Sequence, residues 1–97
     1  MVGGLPAAEE TRSLEQIAVE MATTPAEHAA LAEHYRAKAE KARAAMRRHE
    51  SIGRAYTRRK RWSGVASSHC KRLSENYGAM ASEYDELAKL HEAEAAK

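Results

Sequence analysis

The stretch that decides the fold is residues 24–39, TPAEHAALAEHYRAKA. Thr24 suits the N-cap of a helix, Pro25 suits the first helical position, and Glu27 follows the cap by three residues, so its carboxylate can reach back to the cap amide. No Gly or Pro follows until Gly53. The sequence therefore predicts one long helix over residues 25–56.

Two further helices flank this one. Upstream, Ser13 and Gln16 have the spacing of a capping box, and an apolar stripe predicts a short helix over about 13–22. Downstream, Ser63 and Gly64 offer the start of a second long helix over about 64–96. Residues 1–12 show no periodicity, and we interpret them as a flexible N-terminal lead. We expect residues 13–97 to form a single helical domain.

The composition agrees with an all-α fold and excludes several classes of protein. Ala fills 21 of the 97 positions, which favours helix over strand. No apolar run approaches the roughly 18 residues of a membrane span, and a single Cys cannot form an internal disulfide. There is no Gly-rich phosphate-binding fingerprint. The net charge of +2 selects no partner by itself.

The two long helices resemble copies of each other. A shift of 42 positions places Tyr35 on Tyr77 and the dipeptide His49–Glu50 on His91–Glu92. Because Tyr and His are uncommon in this Ala-rich sequence, we favour an internal duplication.

The uncommon side chains share one face of each long helix. Residues seven apart lie on nearly the same face, and the charged residues occupy the complementary faces. In an antiparallel hairpin that turns between residues 59 and 60, residues whose numbers add up to 119 lie at one level. Two helices cannot bury so wide a stripe, so we expect a homodimer that forms a four-helix bundle. The predicted layers are His28 with His91, Tyr35 with Tyr84, Ala42 with Tyr77, and His49 with Cys70.

This buried seam suggests a site for a transition metal. Imidazole suits copper, zinc and haem iron, whereas thiolate and thioether favour Cu(I). The leading hypothesis is a non-enzymatic metal-binding bundle, with copper favoured, zinc as the next choice and non-covalent haem left open. No HExxH, CxxC or Glu-x-x-His spacing accompanies the candidates. The candidate ligands are His28, His91, His49, Cys70, Met46 and His69.

Two other interpretations stay open. In a cofactor-free structural or protein-interaction bundle, the same histidines would pack and hydrogen-bond in the core with Tyr35, Tyr77 and Tyr84. A basic loop at residues 54–61, which ends in Arg58, Arg59, Lys60 and Arg61, could instead bind nucleic acid or an anionic surface. Catalysis by Cys70 would need a neighbouring base and an oxyanion hole, and no motif supplies the latter, so we expect no enzyme.

Residues 24–39 and the later run His69–Leu73 resemble a group of small, uncharacterised exported helical-hairpin proteins of bacteria. The resemblance covers roughly residues 13–97. It implies a signal peptide cleaved upstream and a periplasmic location, although a cytoplasmic one stays open, and it carries over no activity. The bundle is also similar in architecture to four-helix cytochromes, but the Cys-x-x-Cys-His motif is missing, so covalent haem is not expected.

Overall fold

The computed structural model describes residues 12–59 and 63–97 and folds them into helices alone. These are α1 (Leu14–Met21), α2 (Pro25–Thr57) and α3 (Ser63–Ala95). Helices α2 and α3 pack against each other as an antiparallel hairpin, and α1 contacts α2. The all-α prediction is confirmed, and each helix ends within about two residues of its expected boundary. The predicted lead lies outside the described residues, except for Arg12.

The first two helices begin at their predicted caps. The hydroxyl of Thr24 accepts a hydrogen bond from the backbone N–H of Glu27 at 3.1 Å, and the Glu27 carboxylate accepts one from the Thr24 N–H at 3.0 Å. The Thr23 N–H also donates to this carboxylate. These backbone hydrogen bonds, that of Thr23 first, lower the pKa of Glu27 to about 2. At α1, the Ser13 hydroxyl accepts from the Gln16 N–H at 3.0 Å.

Small side chains form the interface between α2 and α3. A Cβ atom at Gly53 would lie 3.2 Å from the Cβ of Cys70, and one at Gly78 would lie 3.1 Å from the sulfur of Met46. Gly78 therefore costs helix propensity in the middle of α3 but leaves room for Met46. The buried residues are Leu31, Ala32, Tyr35, Ala39, Ala42, Ala45, Cys70, Ser74, Ala81 and Ala88.

Ion pairs join the two helices along one face of the hairpin. Arg36 donates two hydrogen bonds to the Glu92 carboxylate, at 3.1 and 2.9 Å, and one to Asp85 at 2.9 Å. Arg43 donates to the other Asp85 oxygen at 2.7 Å. Hydrogen bonds from Arg43 and then Arg36 lower the pKa of Asp85. Residues expected only to face solvent thus bridge the helices.

Candidate functional site

His28 and His91 meet at the end of the hairpin that lies away from the α2–α3 connection. Their Nδ1 atoms are 2.9 Å apart, and their partly buried rings stack with centroids 5.2 Å apart. His28 belongs to the first turn of α2, which the Thr24 cap fixes, and His91 lies near the end of α3. One nitrogen must donate and the other accept, so a single proton lies between the two rings. The predicted His28–His91 layer is confirmed.

Two tyrosines extend this stack into the hairpin. The ring of Tyr35 lies 5.9 Å from that of His91 and 6.1 Å from that of Tyr84, nearly parallel to both. The Tyr35 hydroxyl donates a hydrogen bond to Glu15 at 3.1 Å. Burial, and then the Glu15 carboxylate, raise the pKa of Tyr35, so its phenol stays protonated at neutral pH. The predicted contact of Tyr35 with Tyr84 is confirmed.

Glu15 attaches α1 to this end of α2. Its carboxylate lies 2.9 Å from Nε2 of His34 and 3.0 Å from Nζ of Lys38, and it also accepts from Tyr35. These hydrogen bonds, that of His34 first, lower the pKa of Glu15 to about 2. Leu14 nevertheless stays 86% exposed. Polar contacts therefore contribute much of what holds α1 in place, and Tyr35 links them to the histidine pair.

A second tyrosine–histidine stack lies nearer the connection. The rings of His49 and Tyr77 are 5.4 Å apart and 8° from parallel. The shift of 42 positions relates this pair to the Tyr35–His91 pair, so the two stacks have the same register. In both pairs the residue numbers add up to 126 rather than 119. Long helical side chains lean toward the N-terminus of their own helix, and in an antiparallel pair this lean brings together residues with a larger sum.

The ring of His49 thus stacks on Tyr77, which is not its predicted partner, Cys70. Nδ1 of His49 is buried without a hydrogen-bond partner. Cys70 is a free, buried thiol, and its Cβ lies against Gly53. The structure thus gives no support to a His49–Cys70 ligand pair.

The remaining candidate ligands also lie apart from the His28–His91 pair. Met46 packs its sulfur against Gly78, and His69 is exposed and accepts a hydrogen bond from Arg72 at 2.9 Å. Within residues 12–59 and 63–97, no three His, Cys, Asp or Glu side chains come together as a ready metal-binding group. His28 and His91 therefore supply two converging nitrogens and no third ligand.

The structure describes only part of the basic segment. Arg58 and Arg59 are exposed at the end of α2, whereas Lys60 and Arg61 lie outside the described residues. The described residues therefore do not test whether this segment binds nucleic acid.

Comparison with protein families, curated proteins and solved structures gave no match. In the part of the chain that the structure describes, no helix combines the length and the apolar character needed to cross a membrane.

Proposed function

We propose that the protein binds a transition-metal ion, without catalysing a reaction, through His28 and His91. The observation that carries the proposal is the 2.9 Å separation of their Nδ1 atoms. Two nitrogen ligands of a tetrahedral zinc ion are about 3.3 Å apart, because each Zn–N bond is about 2.0–2.1 Å. Opening the pair by about 0.4 Å, with the shared proton moved to Nε2 of its own ring, would make room for the ion between two neutral imidazoles.

The nature of the two ligands defines the class of metal. Imidazole suits both zinc and copper, whereas the sulfur ligands that would select Cu(I) belong to Met46 and Cys70, which lie elsewhere. We therefore propose zinc or copper(II).

Metal titration of the protein without a histidine tag tests this proposal. We expect about one zinc or copper ion per histidine pair, and at least a tenfold loss of affinity in His28→Ala and in His91→Ala. The matched control is His34→Ala, which removes a nearby exposed histidine that faces Glu15 instead. Binding below about 0.1 metal per chain, or equal binding by His28→Ala and His34→Ala, would contradict the proposal.

A second candidate is the cofactor-free interaction bundle. It is favoured because the Nδ1–Nδ1 hydrogen bond and the stack on Tyr35 already satisfy the histidine pair without any ligand. Failure of the metal titration, with the hairpin intact by circular dichroism, would leave this as the better proposal. The exported location also remains a proposal, which fractionation of cells that express the full gene would test.

A further inference from the structure

Helix α3 carries an apolar stripe that lies outside the hairpin interface. Leu73, Met80 and Leu87 are spaced by seven residues and are 41%, 44% and 38% exposed. Val65 and Leu90, on the same side of the helix, are 72% and 65% exposed. Exposed apolar side chains are common singly, but a stripe over two heptads is typical of a helix that packs against another helix.

No other element of the described chain covers this stripe. Among the described residues, helix α1 contacts α2 and does not contact α3. The Cα atoms span only 12 Å along the shortest axis of the molecule, which is the thickness of a single layer of helices. The largest apolar side chains of α3 therefore remain outside a core made mostly of alanine.

The pattern of the stripe is symmetric about Met80. Leu73 and Leu87 lie seven residues on either side of Met80, and His69 and His91 lie eleven residues on either side. A two-fold interface brings residue i of one copy to residue j of the other and residue j to residue i. A two-fold axis at Met80 would therefore place Leu73 of each copy against Leu87 of the other.

The charges of α3 favour the same antiparallel arrangement. Its N-terminal part carries Lys71 and Arg72 and no acidic residue before Glu75, whereas most of its acidic residues lie after Glu83. An antiparallel copy places the basic part of each helix beside the acidic part of the other. A parallel copy would place like charges together.

We propose that a second copy of this chain docks antiparallel on the Leu73–Met80–Leu87 stripe, with the two-fold axis at Met80. The docking brings His69 of each copy to the level of His28 and His91 of the other, so each pair gains a third imidazole. This addition rests on the proposed metal-binding function, whereas the docking itself does not. His69 is available because its hydrogen bond with Arg72 is exposed and contributes little.

Cysteine cross-linking tests the docking. In a Cys70→Ala background and metal-free buffer, Met80→Cys puts one thiol of each copy beside the proposed two-fold axis, where we expect the Cβ atoms to approach the 3.5–4.5 Å separation that a disulfide needs. The control is Ser82→Cys, which is exposed on α3 but points about 200° away from Met80. We expect Met80→Cys to form a covalent dimer under mild oxidation at micromolar concentration, at least ten times faster than Ser82→Cys. Equal rates, or no cross-link at Met80→Cys, would overturn the proposal.

A zinc titration of His69→Ala tests the third ligand separately. We expect zinc affinity to fall at least tenfold relative to the parent and to His34→Ala. An unchanged affinity in His69→Ala, with zinc still bound by the parent, would overturn the third ligand alone. A Met80→Cys cross-link in a protein that binds no zinc would support the docking and contradict the proposed function.

Discussion

Gly53 gives the sharpest test of how closely α2 and α3 approach. In Gly53→Ala the new Cβ would lie 3.2 Å from the Cβ of Cys70, whereas carbon atoms in contact prefer about 3.5–4.0 Å. The Cβ of Cys70 is bonded directly to the backbone and cannot rotate away. Ala gains about 1 kcal/mol in helix propensity, but overpacking costs about 1–3 kcal/mol. We expect a net loss of about 1 kcal/mol in the free energy of unfolding.

Two other glycines provide matched controls for this prediction. A Cβ at Gly64 would meet nothing within 4 Å, so Gly64→Ala should gain up to about 1 kcal/mol from helix propensity alone. In Gly78→Ala the new Cβ meets only the sulfur of Met46, and this flexible side chain can move away. We therefore expect the free energy of unfolding to rise or to stay the same. The assay is urea unfolding followed by circular dichroism, at one protein concentration for all variants. If Gly53→Ala is stabilised as much as Gly64→Ala, the helices do not approach closely at Cys70 and the packing described above is wrong.

Three further changes test the contacts around the histidines and the hairpin. The pKa of Glu15 is lowered to about 2, so the contribution of this carboxylate to stability is present above about pH 4.5 and is lost as the pH falls toward 2. NMR chemical shifts of α1 should follow this titration, and the pH-dependent shift should disappear in Glu15→Gln. Asp85→Asn should lower the midpoint of urea unfolding more than Glu86→Gln, because Asp85 joins two helices whereas Glu86 pairs only within α3; equal effects would contradict this. His49→Phe should raise the free energy of unfolding by about 1 kcal/mol, because it keeps a ring on Tyr77 and removes a buried nitrogen without a partner. A lower free energy of unfolding for His49→Phe, measured by calorimetry, would show that Nδ1 of His49 has a partner.

The helices were predictable because local interactions determine where they begin. The Thr24–Glu27 capping box and the Ser13 cap involve residues three apart, so their spacing in the sequence is enough to place them. The His28–His91 layer also followed from the sequence, because α2 and α3 are of equal length and the segment between them is short. Simple counting from the turn was enough for the His28–His91 and Tyr35–Tyr84 contacts, although it did not give the stack of Tyr35 on His91.

The contacts that the sequence did not predict depend on the direction of side chains in space. Counting levels along the backbone paired His49 with Cys70, but the lean of the rings brings His49 onto Tyr77. The Arg–Asp bridge was also missed, because Arg36 and Arg43 were assigned to a solvated face. Their seven-residue spacing, matched by that of Asp85 and Glu92, is the signal that could have revealed it.

NMR detection of the imidazole nitrogens during a zinc titration tests the central claim most directly. If His28 and His91 bind the ion together, their Nδ1 resonances should shift in parallel and reach saturation at the same zinc concentration. The ring nitrogens of His34 and His49 should keep their positions, because Glu15 holds the former and the latter is buried against Tyr77. Unchanged Nδ1 resonances of His28 and His91 at saturating zinc would contradict the proposed metal-binding function.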